Sequence, residues 1–320
     1  MDQYNRRDFI RNLSVGTAAI GLISRNSLLG HDRPKKNAIS LALFSLNRSY
    51  DAGLWTLLDI PKICREDFNV DGIEHVTKYF TDVRDHYLRQ LNQLVSEHGL
   101  KNVLIMVDRE GDMVHKEKKE RKQAAINHRK WVEIAAYLGC HAIRCNATGG
   151  GKTMGEDPDA LNRAEESFSA LLEYAKDFKI NILIENHGGG LASNAEWLAA
   201  LAKRLNNPHF GLLPDYSNYG FKDGDVEGIY RSIRLNMPYA MGVSVKGVWG
   251  LDGKHQRFSI EKCLKISKEF GYTGFWGIES VVFSEDRSYF DSISAEEKKK
   301  LDWQAVKWTK AAIEKVIFQS

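Results

Sequence analysis

From residue 38 onward, short apolar runs rich in β-branched residues alternate with longer segments whose apolar positions recur every three or four residues. The first pattern predicts strands and the second helices. Eight strand-like runs stand out, at 38–45, 69–76, 102–107, 141–146, 181–186, 210–215, 240–245 and 275–279. Runs such as Ile182-Leu183-Ile184 are apolar on both faces, as parallel strands are when both faces are covered. Helix starts are marked by Asp157-Pro158 as N-cap and first turn, and by the capping boxes Ser193 with Glu196 and Ser294 with Glu297. Gly99, Gly139 and Gly271 stand where helices should stop. Eight strand–helix units in about 284 residues predict an α/β fold, a closed (β/α)8 TIM barrel rather than an open doubly wound sheet. No G-x-G-x-x-G follows the first strand. Gly149-Gly150-Gly151-Lys152-Thr153 lacks the spacing of a P-loop and reads as a flexible loop beside the site.

The first 36 residues do not belong to this alternation. Asn5-Arg6-Arg7-Asp8-Phe9-Ile10-Arg11 precedes a mildly apolar stretch, 13–23, and then a polar one, the layout of an export signal. The paired arginines before Asp8 and Phe9 resemble the twin-arginine signal of bacteria, whose route carries folded, cofactor-loaded proteins. That resemblance implies a periplasmic location. No clear A-x-A cleavage site follows, and the competing reading is a retained amphipathic helix on a cytoplasmic protein. Residues 1–36 are therefore assigned to signal and linker, and 37–320 to one barrel domain.

Charge changes the picture once it is divided along the chain. The net charge is +3, but the first 36 residues hold seven Lys/Arg against three acids, so the body carries −1. A near-neutral body has no global field for a phosphate backbone, which argues against a nucleic-acid partner. No run of 18 apolar residues predicts stable membrane insertion. Cys64, Cys140, Cys145 and Cys263 lack metal-like spacing and are expected as buried free thiols.

In a barrel the chemistry belongs where strands end. Run five ends in Glu185-Asn186-His187, run six in Pro214-Asp215-Tyr216-Ser217-Asn218, and run eight in Gly277-Ile278-Glu279. Run seven ends in Ser244-Val245-Lys246. Three carboxylates brought to one mouth repel unless they are protonated, paired or gathered round a metal, and an oxygen-rich set favours Mn²⁺ or Mg²⁺. His187, two residues after Glu185, points the same way if the strand continues, and joins the candidate ligands Glu185, Asp215 and Glu279. Arg144, Asn146, Glu74, Asn218 and His255 are candidate substrate contacts, and Lys246 a catalytic cation. Competing structural readings are ion pairing for the acids and Lys246, a turn or cap for Asp215, and packing for Trp249 and Tyr216.

The succession Ile184-Glu185-Asn186-His187-Gly188-Gly189, Leu213-Pro214-Asp215-Tyr216-Ser217-Asn218, Gly242-Val243-Ser244-Val245-Lys246 and Gly274-Phe275-Trp276-Gly277-Ile278-Glu279 resembles the sugar phosphate isomerase/epimerase family of xylose isomerase-like barrels. The resemblance covers 38–318. It implies a divalent metal held by acids of strands five, six and eight, here Glu185, Asp215 and Glu279, together with a histidine or glutamine of strand seven. Where many relatives carry that histidine two residues before a lysine, this chain has Ser244 before Lys246. The resemblance further implies that Glu185 and Glu279 move protons on opposite faces of a carbohydrate, through an enediolate. Isomerase or epimerase action is the expectation. A lyase acting on a keto-sugar or 3-keto-glycoside and a non-catalytic sugar-binding barrel are the alternatives. An apurinic endonuclease on the same barrel is disfavoured by the charge of the body. The oligomeric state stays open, a homo-oligomer included.

Overall fold

Each of the eight apolar runs forms a strand: β1 Ala38–Ala42, β2 Gly72–Val76, β3 Lys101–Met106, β4 Ala142–Cys145, β5 Asn181–Glu185, β6 Phe210–Leu213, β7 Val243–Gly250 and β8 Phe275–Phe283. The computed structural model describes residues 36–149, 156–187, 190–219, 224–286 and 288–319, all within the compact unit Arg33–Ser320. Every ladder is parallel, in the order β6-β5-β4-β3-β2-β1-β8-β7. Single bridges, Leu212 to Ala240 and Asp215 to Ser244, bring the two ends of the sheet together. Helices including Lys118–Leu138, Ala160–Lys176, Ala195–Leu205, Val226–Asn236, Ile260–Glu269 and Ala295–Ile313 cover the outside. The fold is the expected α/β TIM barrel. The twin-arginine pattern, most of the glycine run after Gly149, and Gly188-Gly189 lie outside the described residues.

Strand interiors supply the core. Ile39, Leu41, Ile73, Leu104, Ile143, Ile182, Leu212, Val245 and Ile278 are all essentially buried, as strands covered on both faces require. All four cysteines are buried and free. Among the described residues no helix is long and apolar enough to cross a membrane.

Two helix starts differ from expectation. The helix Ala160–Lys176 begins after Asp159, because Asp157 turns to pair with Arg163 instead of capping. The helix Ala195–Leu205 is capped by Asn194, which accepts from the Trp197 amide at 2.8 Å, while Ser193 donates to the Gly190 carbonyl. Asparagine competes well for this position, so the cap moves by one residue. Ser294 caps Ala295–Ile313 as expected, accepting from the Glu297 amide at 3.1 Å.

The largest departure is at β7 and β8, which run five and four residues past the expected strand ends and stay paired to Gly250 and Phe283. This ribbon rises beyond the mouth. Its outer face packs on the helix Ala295–Ile313: Trp249 Nε1 donates to Thr309 Oγ1 at 2.8 Å, and Ser280 Oγ lies 2.8 Å from the same oxygen. A Cβ on Gly247 would stand 2.1 Å from Thr309 Oγ1, so that residue type permits the close approach.

Candidate functional site

Glu185 ends β5, Asp215 follows β6 behind Pro214, and Glu279 lies in β8 opposite Lys246 of β7. Their carboxylates offer ligand atoms within 4.8 Å of one another, and all three are buried. Lys246 Nζ donates to Glu279 Oε1 at 2.6 Å and to Asp215 Oδ2 at 3.1 Å. Ser244 Oγ lies 3.0 Å from Glu279 Oε2 and 3.4 Å from Asp215 Oδ2. Asn218 Nδ2 donates to Glu185 Oε1 at 3.1 Å and to Asp215 Oδ2 at 3.0 Å. Asp215 also fills the turn role anticipated for it, since its Oδ1 accepts from the amides of Ser217 and Asn218. One oxygen shapes the loop and the other faces the cluster.

The opposite wall is built on β4. Arg144 Nε stands 2.9 Å from Glu185 Oε2, an ion pair whose angle falls outside hydrogen-bond geometry. Its Nη1 donates to Asp108 Oδ1 and to Asn146 Oδ1, both at 2.8 Å, and Asn146 Nδ2 donates to Asp108 Oδ1 at 2.9 Å. Deeper in the barrel, Glu74 accepts from Ser40 Oγ at 2.6 Å and leans on Gly277, where a Cβ would meet its Oε1 at 2.4 Å. Its other oxygen has no hydrogen-bond partner among the described residues.

Negative charge is in surplus here. Glu185, Asp215 and Glu279 face two cations, Lys246 and Arg144, and Arg144 is shared with Asp108. Burial opposes ionisation of all three acids. At Glu279 the charge and hydrogen bond of Lys246, with help from Ser244, outweigh burial and hold the carboxyl below its ordinary range. At Glu185 burial wins over Arg144, and the charge of Glu279 adds to it, so the carboxyl is pushed up. Asp215 is raised too, by burial against the pull of Lys246. Burial works against the Lys246 ammonium, but Asp215, Glu279 and Glu185 together raise it.

The donor set fits a hard divalent cation. It is all oxygen, and its ligand atoms lie within about twice a metal–oxygen distance of roughly 2.1–2.4 Å. The Ser244 hydroxyl lies beside two of the three acids.

Residues 65–304 match the family described as Xylose isomerase-like TIM barrel. The chain belongs to that family. Among solved structures, this xylose isomerase-like barrel is similar to a D-psicose 3-epimerase determined in the presence of D-fructose, at 13% identity and TM-score 0.65, over 88% of this chain and 99% of that one. It is similar to IolI protein with a bound zinc atom, at 15% identity and TM-score 0.65, over 87% and 99%. It is also similar to a 3-keto-D-glucoside 4-epimerase from E. coli, at 13% identity and TM-score 0.58, over 77% and 94%. No curated protein matches.

Other anticipated residues of this barrel stand outside the acidic triad. His187 is exposed and is not among the groups within 4.8 Å, although it lies within electrostatic reach of Arg144, Lys246, Glu279 and Asp215. Both nitrogens of His255 are taken by backbone: Nε2 accepts from the Val248 amide at 3.1 Å, and Nδ1 donates to the Phe258 carbonyl at 2.9 Å. It braces the loop after β7, and neither nitrogen is left for a substrate. Trp249 packs on Trp308 and bonds Thr309, and Tyr216 is buried with its hydroxyl on Ser267, so both are packing residues. Sequence reasoning passed over Asp108 and Asn186. Asp108 follows β3, the same signal that marks the other acids. Asn186 locks Asp215 in place, donating to its carbonyl at 2.8 Å and accepting from its amide at 2.7 Å.

Proposed function

We propose that the protein is a metal-dependent sugar isomerase or epimerase that moves a proton at the carbon beside a carbonyl, through an enediolate. The observation that carries this reading is the convergence of Glu185, Asp215 and Glu279 in one buried oxygen cluster at the mouth of the barrel. A divalent ion, Mn²⁺ or Mg²⁺, held by these acids would polarise the carbonyl and stabilise the developing oxyanion. Glu279 on β8 and Glu185 on β5 approach the cluster from different walls, so that one takes the proton and the other returns it. Lys246 supplies positive charge where the oxyanion develops. Arg144, Asn146 and Asn218 offer hydrogen bonds to sugar hydroxyls. The sugar epimerases among the similar structures support the substrate class.

The test is incubation with ketohexoses and with 3-keto-glycosides in D₂O. Solvent deuterium in a rearranged sugar is expected, and is lost in Glu279→Gln. Release of an aglycone would instead favour the lyase, and binding without any turnover a sugar-binding barrel. We also propose export through residues 1–36, supported by the Arg6-Arg7-Asp8-Phe9 pattern. Retention of Arg6→Lys/Arg7→Lys in the cytoplasm, measured by fractionation, is the expected outcome.

A further inference from the structure

Because β7 and β8 stay paired beyond the mouth, the face that carries the reacting groups continues outward. Lys246 and Val248 on β7 share that face with Glu279, Val281 and Phe283 on β8, in the register Lys246–Glu279, Val248–Val281, Gly250–Phe283. The row passes from charged to aliphatic to aromatic. Between this face and the loop after β6 lies a cleft of about 410 Å³ that begins at Asn218 and Lys246 and ends at Phe283 and Phe290. That is the size of a small-molecule site, and no carboxylate lines it among the described residues.

Two features mark the outer end as made for contact. Phe283 is 41% exposed and lines the cleft, so its ring is open to contact from that side. Arg257 has a left-handed backbone, φ 73°, disfavoured for arginine, and its guanidinium is held 5.7 Å from the Phe283 ring centroid. Arg48 is committed to the wall instead: its guanidinium covers Phe290 at 3.9 Å and donates to the Val282 carbonyl at 2.7 Å.

Resting on the isomerase/epimerase reading of the acidic cluster, we infer that the cleft from Lys246 to Phe283 is a subsite for a planar aromatic aglycone, so that the substrate is an aryl glycoside whose sugar ring carries a keto group rather than a free monosaccharide. The reacting ring lies over the acids, and the glycosidic oxygen points along the ribbon. The aglycone packs on Val248, Val281 and Phe283 beneath the Arg257 guanidinium, which favours an electron-rich ring.

The experiment is calorimetric titration of the full chain carrying Glu279→Gln, with Mn²⁺ present, using methyl 3-keto-β-D-glucopyranoside, its phenyl counterpart, 3-keto-cellobiose and D-fructose. The phenyl glycoside is expected to bind about tenfold more tightly than the methyl one, the gain from burying one ring on an aromatic and aliphatic wall. Phe283→Ala and Arg257→Ala, both at exposed positions, reduce that preference to about twofold or less. Equal affinity for the two glycosides, equal weakening of both by these variants, or tighter binding of 3-keto-cellobiose than of the phenyl glycoside would overturn the subsite. If D-fructose binds, and exchanges deuterium in the wild type, without any phenyl preference, the subsite falls and the isomerase reading stands. If none of the four sugars binds, both fall.

Discussion

The mouth of the barrel and the flank between β2 and the helix Asp85–Glu97 both bury titratable side chains, but they treat them differently. On the flank, His75 donates from Nε2 to Asn102 Oδ1 at 2.6 Å, and Asn102 Nδ2 donates to Asn92 Oδ1 at 2.7 Å and to the Leu138 carbonyl at 2.9 Å. The groups there are neutral, with His75 Nδ1 left without a hydrogen-bond partner among the described residues, and burial depresses the His75 pKa to about 4. At the mouth, Glu74, Glu185, Asp215 and Glu279 are buried near two cations, and oxygens of Glu74 and Glu185 have no aligned partner among the described residues. Wiring neutral polar atoms together is enough to fold a chain. Gathering more acids than cations is not needed for folding, and it creates a demand that a proton, a metal or a substrate must meet.

This contrast can be broken most directly at Glu279. Glu279→Gln is expected to slow solvent deuterium exchange into the sugar about 10³-fold, the scale of a lost acid–base group. Thermal unfolding should show some loss of stability, since Lys246 keeps its buried charge but loses its 2.6 Å carboxylate partner. A variant that loses stability and keeps its exchange rate would make Glu279 a structural residue like His75.

The next effect separates the two regions by the sign of their pH dependence. The folded His75 stays neutral to about pH 4, whereas its ordinary pKa is 6.5. As pH falls from 6.5 towards 4 the unfolded chain takes up a proton that the folded chain refuses, so stability falls, by ~3 kcal/mol at most. Glu74 acts in the opposite direction. Burial raises it to about 8, so its contribution is complete below its ordinary 4.5 and is lost as pH rises towards 8. Denaturant titrations across this range should lose the acid slope in His75→Gln and the alkaline slope in Glu74→Gln.

A smaller effect concerns cation binding. Asp215→Asn should weaken Mn²⁺ binding by about 100-fold, read by elemental analysis after dialysis. His75→Gln should leave the metal content unchanged. Equal metal content in both variants would mean that the acids of the mouth are balanced by Lys246 and Arg144 alone.

Much of this was legible in the sequence because strand period and strand ends are local signals. Glu185, Asp215, Glu279 and Lys246 each follow an apolar run, and the barrel brings such ends together whatever the intervening sequence. The ribbon was not legible, since the apolar run of β7 reads as ending at 245, just before Lys246 and Gly247. Gly247 is instead required by the approach of Thr309, a contact 62 residues away that no local pattern encodes. The inward direction of Glu74 likewise depends on a register shift between β2 and β3 and on the space left by Gly277. His255 looked like a mouth residue by position, but its nitrogens answer to the backbone of its own loop.

Around most of the barrel, neighbouring strands share three or more consecutive rungs, whereas the β6 and β7 sides are joined by single bridges at Leu212–Ala240 and Asp215–Ser244, with amide bonds from Met241 to Leu212, Ser244 to Pro214 and Tyr216 to Ser244. This is the least regular seam of the cylinder. Lys246 and Ser244 reach across it from one lip to Asp215 on the other. Anything that grips Asp215 and Glu279 together therefore works as a clasp. Amide exchange at residues 212–216 and 241–244 should slow when Mn²⁺ is added, while the β2–β3 amides keep their rates.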